Sequence, residues 1–203
     1  QLMDIEAMLI SNNAAVAGNS TTARKSAGLG TMAYSNVSHG TGGSTAAHTS
    51  GAATTAPTAG TNRTFAETQL QTVLRSIFTN SGEMPTMASV TPSHKDVFST
   101  FAGIAANRVN IGSRKQGVIV GGADVYLGSF GELTIVPNYV QATASPNTVL
   151  LLNPEQYGVS FLQEIQTVAL AKDGHTDKEM VFAECCAVAL SEKALGKVAD
   201  LTA

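Results

Sequence analysis

The residues that could carry chemistry are few and widely spaced in this chain of 203 amino acids. A helical zinc site needs two histidines four residues apart with a carboxylate between them, and no pair here has that spacing. The four histidines are His39, His48, His94 and His175. We therefore predict solvent-exposed histidines and no metal site.

The two cysteines, Cys185 and Cys186, are adjacent in sequence. Neighbouring residues reach disulfide geometry only with strain, so both are predicted to be reduced, which favours synthesis in the cytoplasm. No second cysteine pair accompanies them and the surrounding run is apolar. We expect them to act as small buried hydrophobic residues rather than as nucleophiles or ligands.

Two glycine-containing segments resemble sequence motifs of enzymes. Residues 28–33 (GLGTMA) match a relaxed dinucleotide fingerprint, but they follow a predicted helix, whereas the motif requires a strand before it and a helix after it. Residues 128–131 (GSFG) lack the upstream glycine of a nucleophile elbow and are typical of a turn between strands. Neither motif predicts an enzyme.

Charge and hydropathy exclude further classes of protein. The net charge is −3 and the only adjacent basic pairs are Arg24-Lys25 and Arg114-Lys115, too few to neutralise several phosphates. No apolar run is long enough to cross a bilayer, and the segment after Gln1 has no signal-peptide pattern. These features predict a soluble protein without sequence-specific nucleic-acid binding.

Apolar periodicity predicts three helices. Leu2, Ile5 and Leu9 share one helical face, and the helix is expected to end near Gly18-Asn19. Residues 64–67 (TFAE) have the pattern of a capping box for a helix that ends at residues 80–82 (NSG). Thr91-Pro92 gives an N-cap and a first-turn proline for a helix whose apolar face extends to Ala105.

A long segment between the first two helices carries little that could form a core. Residues 26–62 contain no Asp, Glu, Lys or Arg, and residues 38–64 contain no large aliphatic side chain. Such a Gly/Ser/Thr-rich stretch buries little apolar surface to offset its ordering entropy. We predict a flap at residues 38–64 with weak order.

Short β-type runs dominate the second half of the chain. They are separated by glycine, proline and asparagine turns, and they lie at residues 87–90, 118–120, 124–127, 132–136 and 149–152. Two longer runs, residues 158–171 and 178–190, flank the polar segment 172–177 (KDGHTD). Its Asp-Gly step predicts a long hairpin.

The order of these elements resembles the major capsid protein of tailed bacteriophages with the Hong Kong 97-type fold. Residues 130–138 (FGELTIVPN) are similar to the family's aromatic-Gly-x-Leu/Pro-x-Val-x-Pro strand. The further segments that carry the resemblance are residues 4–9 with 28–29, residues 148–153, the paired strands 161–169 and 182–190, and residues 191–195.

The resemblance implies an α+β, Hong Kong 97-like capsid fold with a spine helix, a peripheral-domain sheet and a mixed axial domain. Residues 1–40 and 155–203 would form the peripheral domain, and residues 41–154 the axial domain with the flap. The family's N-terminal arm and extended loop would precede the spine helix, so the resemblance implies a truncated subunit. Some members crosslink Lys to Asn, but residues 184–186 offer no Asn for this.

The implied function is structural: self-assembly into an icosahedral shell that encloses viral double-stranded DNA, without catalysis, cofactor or metal. The implied partners are copies of the chain in pentamers and hexamers, scaffolding, portal and decoration proteins, and packaged DNA bound without sequence specificity; no membrane is involved. The implied location is the virion, with synthesis in the cytoplasm of a bacterial host.

The hairpin tip carries charges of both signs, which could pair between copies around a three-fold axis. The candidate assembly contacts are Lys172, Asp173, Asp177 and Lys178. Three alternatives stay open: an encapsulin-like bacterial nanocompartment shell, a hydrolase whose Ser and His meet only on folding, and a surface adhesin. The capsid interpretation requires Leu2, Ile5 and Leu9 to contact residues 161–190.

Overall fold

A six-stranded mixed sheet with helices on both faces organises the α+β fold. The computed structural model describes residues 2–101, 124–172 and 174–202. The helices are α1 Leu2–Ile10, α2 Leu29–Met32, α3 Glu67–Ser81, α4 Pro92–Phe98 and α5 Gln141–Ala144, with a 3₁₀ turn at Glu192–Ala194.

The strands fall into one large sheet and two separate pairs. They are β1 Val37–Ser38, β2 His48–Thr49, β3 Ala52–Ala53, β4 Met87–Val90, β5 Val125–Gly128, β6 Gly131–Pro137, β7 Val149–Leu152, β8 Tyr157–Ala169, β9 Glu179–Ala189 and β10 Gly196–Val198. The large sheet has the order β1-β10-β7-β4-β6-β5, while β2 pairs with β3 and β8 with β9. Within the large sheet, β1–β10 and β4–β6 are parallel pairs.

Strand β7 lies inside the sheet and is buried on both faces. Because successive side chains of a strand point to opposite faces, Val149 and Leu151 join the core beneath α3, whereas Leu150 and Leu152 join a second core on the other side. Burial on both faces explains why this strand is a continuous apolar run rather than an alternating one.

Helix α3 covers one face of the sheet with the apolar stripe predicted from its periodicity. Leu70, Val73, Leu74 and Ile77 are buried in the larger core. Its start differs from the prediction, because the N-cap is Ala66 and the Gln69 side chain, not Glu67, closes the first turn. The Glu67 carboxylate instead accepts a 2.8 Å hydrogen bond from the Tyr126 hydroxyl.

The second core packs against the opposite face. Ile10 at the end of α1 and Ala33 after α2 contact the cluster formed by Leu150, Leu152 and Leu195. Helix α1 is shorter than predicted, since it ends at Ile10, where the Ser11 hydroxyl donates to the Met8 carbonyl. Gly18, the expected end of the helix, lies in a later loop in the left-handed conformation.

The segment 38–64 is ordered by contacts that its composition does not reveal. The Asp200 carboxylate accepts the backbone N–H groups of Gly40 and Gly60, both at 2.9 Å, and so joins the two ends of the segment to the chain after β10. An antiparallel β-bridge between Ser44 and Thr58 joins the two arms of the segment further along. The expectation of weak order is wrong because a distant carboxylate supplies the ordering interaction.

Other expectations are confirmed or fall outside the described residues. Thr91 caps α4 and Pro92 follows it, as predicted. The strands predicted at 87–90 and 149–152 have those bounds, and the long hairpin is present.

The helix extension to Ala105, the strand 118–120 and the Arg114-Lys115 pair lie outside the described residues. The large sheet includes residues 37–38 and 196–198, which the predicted division assigned to the peripheral domain.

The expectation of solvent-exposed histidines is wrong for His94, which is fully buried. Its Nε2 lies 3.1 Å from the Thr202 carbonyl, which only accepts, so Nε2 carries the proton. Nδ1 then accepts the Thr91 hydroxyl at 2.7 Å. Burial lowers the pKa of His94, and the bond to Thr202 opposes this only in part. The neutral ring ties α4 to the end of the described chain.

The close approach of α3 to β10 predicts that Gly196→Ala destabilises the fold. A Cβ at residue 196 would lie 2.6 Å from Ile77 Cδ1 and 2.8 Å from Val73 Cγ1. We expect the free energy of unfolding in urea to fall by about 1–3 kcal/mol. Ile77→Val in the same chain should recover part of this loss. Gly158→Ala is the control, since no atom lies within 4 Å of its Cβ position; equal losses in both single variants would contradict the packing argument.

The buried neutral His94 predicts acid lability. Its folded pKa lies below its ordinary value of 6.5, so the unfolded chain binds more protons. Stability is therefore present above about pH 6.5 and falls as the pH drops further. Melting curves between neutral and mildly acidic pH should show a shallower decline for His94→Gln than for the wild type. His175→Gln, at an exposed position in the hairpin turn, should leave the slope unchanged; a wild-type slope in His94→Gln would refute the assignment.

Candidate assembly surface

The hairpin of β8 and β9 projects from the body of the protein. Strand β8 has 13 residues and β9 has 11. At about 3.3 Å per residue, β8 is roughly 40 Å long. Every residue of β8 after Tyr157 is exposed. The two strands pair antiparallel from Tyr157 opposite Ala189 to Ala169 opposite Glu179. Strand β8 therefore lacks a covering layer from the described residues along nearly all its length, whereas β9 is half-buried from Val181 to Cys185.

Large apolar side chains are exposed on both faces of this hairpin. Phe161 is 47% exposed and Leu162 is 76% exposed. In the regular part of the ladder, Val159 lies opposite Ala187, so Val159 and the next residue of β9, Val188, point to opposite faces, at 41% and 36% exposure. The further exposed large apolar residues of the arm are Ile165, Val168, Leu170, Met180 and Leu190. An isolated two-stranded hairpin is marginally stable in water, so this arm needs a covering surface.

The hairpin also has strand edges without a partner among the described residues. Its register shifts between Phe161 and Gln163 and again between Gln163 and Gln166. Such irregularities increase the local twist and interrupt a flat edge, which limits uncontrolled strand addition. The arm thus has features of a surface that binds a specific partner rather than one that aggregates without limit.

Helix α1 and the base of the hairpin face each other across a groove of about 710 Å³. Ile5 and Met8 line one wall, while Phe161 and Leu162 line the other. The loop before α2 closes one end, where Arg24 Nη2 donates to Glu184 Oε1 at 3.2 Å. Both side chains of this ion pair are substantially exposed, so it orients the loop more than it stabilises the fold.

The expected contact of Leu2, Ile5 and Leu9 with residues 161–190 stays a prediction, since α1 packs chiefly on α5 and α2. Ile5 shares the groove with the hairpin, but Leu2 is 70% exposed and Ile10 packs on the large sheet instead. A hydrogen bond of 2.7 Å from Asn138 Nδ2 to Glu6 Oε1 holds the helix near α5. Helix α1 therefore borders the hairpin without covering it.

Two of the predicted assembly charges at the tip pair within the chain. Lys172 Nζ lies 2.8 Å from Asp177 Oδ1, with both side chains about three-quarters exposed. The backbone carbonyl of Lys178 accepts the N–H of Leu170 and closes the end of the ladder. Asp173 lies outside the described residues. The described part of the tip thus carries an exposed local ion pair.

The expectation of two buried cysteines is wrong. Cys186 is exposed and Cys185 is half-buried, because the strand that carries them belongs to the projecting hairpin rather than to a core. Both are free thiols, and both line the groove. Burial, and then the neighbouring Cys186, raise the pKa of the Cys185 thiol and so reduce its thiolate fraction at neutral pH.

Sequence reasoning missed the two-sided exposure of the hairpin. Consecutive apolar residues such as Val181-Phe182 signal a strand that is apolar on both faces, but the same pattern describes a buried strand such as β7. The pattern alone does not tell whether the covering layers come from the same chain. The pairing of Arg24 with Glu184 left no sequence signal, since the two residues are 160 positions apart.

The described regions offer no metal centre and no membrane anchor. In residues 2–101, 124–172 and 174–202, no three His, Cys, Asp or Glu side chains converge in a way that could hold a metal ion. Within the same regions, no helix combines the length and apolar character required to span a bilayer.

An α+β body with a projecting apolar arm is typical of a structural subunit, since exposed apolar surface of this extent favours contact with other chains. The comparison with known families agrees with this class: the model of the SU10 major capsid protein matches residues 1–202. The chain therefore belongs to the SU10 major capsid protein family and is a bacteriophage structural protein of the virion. No curated protein matches the chain significantly.

Proposed function

We propose that this capsid protein has the Hong Kong 97-type fold and self-assembles through pentamers and hexamers into an icosahedral shell around double-stranded DNA. Family membership over residues 1–202 supports the capsid role. The order of helix, sheet and long hairpin supports the finer fold assignment. A peripheral domain at residues 1–40 and 155–203 and an axial domain at 41–154 remain the proposed division.

One observation carries the assembly mechanism: the β8–β9 hairpin exposes apolar side chains on both faces. Burying apolar surface contributes about 25 cal/mol per Å², so covering several of these side chains stabilises a contact between copies. Contacts of modest strength suffice in a shell because each one is repeated many times. The hairpin is therefore proposed to pack against a neighbouring copy, with its base and the α1 groove at the contact.

The same proposal accounts for the low charge of the chain. A wall around packaged DNA should contact it without trapping it, and a chain with net charge −3 lacks a dense basic surface. Binding to DNA is proposed to be weak and independent of sequence. Scaffolding, portal and decoration proteins are the further proposed partners, and synthesis is proposed to occur in the bacterial cytoplasm. No catalytic step or cofactor forms part of this function.

Replacing the most exposed apolar residue of the arm tests the hairpin contact. Leu162→Asp puts a charge where a neighbouring copy would bury a side chain, while the free chain already exposes this position. We expect sedimentation and electron microscopy to show a loss of closed particles, with melting of the unassembled chain nearly unchanged. Gln163→Asp is the matched control, since it adds the same charge to the adjacent exposed residue without removing apolar surface. Normal particles from Leu162→Asp would reject the hairpin contact.

Charge reversal tests the proposed pairing between tips. Changing Asp173 and Asp177 together to Lys leaves only basic residues at the four charged positions of the tip, so neighbouring tips would repel one another. We expect shells that form less completely or dissociate at lower denaturant concentration. Asp96→Lys with Glu155→Lys gives the same change in net charge at exposed positions away from the tip. Shells of normal stability from the tip variant would count against the three-fold contact.

The contents of purified particles test the proposed cargo. Electron microscopy together with nuclease-protected nucleic acid should show DNA-filled heads. Protein-filled cages without protected DNA would instead identify an encapsulin-like compartment.

A further inference from the structure

A small polar cavity lies away from the hairpin, where four distant parts of the chain meet. Its volume is about 200 Å³. Asn12, His39, Lys197 and Asp200 line it, together with the loops 57–62 and 144–148. Lys197 is only 2% exposed, although it projects from the sheet strand β10. A buried ammonium group is costly unless a specific interaction compensates its charge.

The polar groups of the cavity wall are held in place by defined contacts. The ammonium of Lys197 donates to the carbonyl of Gly30 and, at 3.5 Å, to Asn12 Oδ1. Asn12 Nδ2 in turn donates to the Ser145 hydroxyl at 3.2 Å. This leaves one of the three N–H donors of Lys197 without an acceptor among the described residues.

Positive charge exceeds negative charge around the cavity. Behind its wall, the Arg63 guanidinium donates to the Ser38 hydroxyl at 2.7 Å. Lys197 and Arg63 thus contribute two cations, whereas Asp200 is the only carboxylate among the residues described there. Both oxygens of Asp200 already accept backbone N–H groups, from Gly40 and Gly60. Although burial by itself would raise the pKa of Asp200, these two bonds and His39 lower it, so the carboxylate stays ionised.

Three further nitrogen atoms near the cavity are buried without a regular hydrogen bond to a described residue. They are Nδ1 and Nε2 of His39 and Nε of Arg63, although other atoms of the Arg63 guanidinium are bonded. His39 Nδ1 lies 3.5 Å from Asp200 Oδ2, at ion-pair distance. Buried polar groups are normally satisfied by a protein, solvent or ligand atom. Arg63 Nε carries one N–H donor, and His39 presents one N–H donor when neutral and two when protonated; such donors require acceptors of negative or partial negative charge.

We propose that this cavity binds a small oxyanion of the size of inorganic phosphate, with Lys197 and His39 as its principal donors. Carboxylate, sulfate and phosphate groups all present the oxygen acceptors that these groups lack. The cavity volume admits such an ion but not a nucleotide, so free phosphate is favoured over a phosphodiester of packaged DNA. Because the cavity joins the 38–64 segment to β10, the bound anion would hold these two parts together.

The proposal has a defined pH dependence. Burial, followed by the charge of Lys197, lowers the pKa of His39, and Asp200 opposes this. Burial also lowers the pKa of Lys197, to about 8. An anion favours the protonated form of both groups, so its affinity should rise as the pH falls from above 8 towards 6. Asp200 and Arg63, the other charged groups of the cluster, keep their charges over this range.

Titration of the full-length chain with inorganic phosphate tests the site. The ring-proton NMR signal of His39, assigned by its absence in His39→Gln, should shift saturably and move to a higher pKa. Calorimetry should show phosphate affinity reduced by about tenfold or more in Lys197→Met, because methionine has a similar length but no charged N–H donor. Lys193→Met, at an exposed neighbouring position, should bind normally. The pH dependence is measured with sulfate, because sulfate remains a dianion between pH 6 and 8.

The possible results separate the proposal from its alternatives. A saturable His39 shift with phosphate, absent with a short DNA duplex, supports a free-anion site. A shift of the His39 signal with the DNA duplex but not with phosphate would indicate that His39 and Lys197 contact nucleic acid, and it would overturn the proposal. Absence of any His39 shift at millimolar phosphate in the wild-type chain would also overturn it, and this result does not depend on the folding of a variant. Neither measurement requires shells to form, so failure here is distinct from failure of the assembly proposal.

Discussion

Burial of strand β7 on both faces is the interaction on which the rest of the body depends. Its four residues are all buried, with alternate side chains in two separate cores. One core requires α3 and the aromatic cluster of Phe65, Phe98 and Phe101 above the sheet. The other requires the end of α1 and the chain after α2 below it. Because neither layer is large, both must be in place before the central strand is fully removed from water.

The hairpin presents the opposite situation with the same residue types. Leu150 is inaccessible in the body, while Leu162 in the hairpin is 76% exposed. Two strands cannot form two covered faces on their own, and α1 only borders the base of the arm. Membership of a capsid family gives this exposure a physical rationale, since a subunit that completes its core against neighbours links folding stability to assembly.

Polar interactions connect the parts that apolar packing leaves separate. Asp200, in the left-handed conformation, fixes both ends of the 38–64 segment by accepting backbone N–H groups. Asn36 plays a similar role elsewhere, since its side chain donates to the carbonyls of Lys193 and Leu195 and accepts from Ser76 and Asn80. Buried polar groups of this kind are costly when unpaired, so they favour one arrangement of the connecting loops over its alternatives.

The sequence by itself determined the elements whose signals are local: the apolar stripe of α3, the Thr91 cap with Pro92, the run of β7 and the Asp-Gly hairpin. These follow from periodicity and turn chemistry within a few residues. The resemblance of several segments to a capsid protein also pointed to the correct class. Only the tertiary structure decided that the hairpin is uncovered, that His94 is buried, that the flap is ordered and that Lys197 lines a cavity. Each of these depends on groups far apart in sequence, such as Asp200 with Gly40 and Gly60, and contacts at that separation leave no local pattern to read.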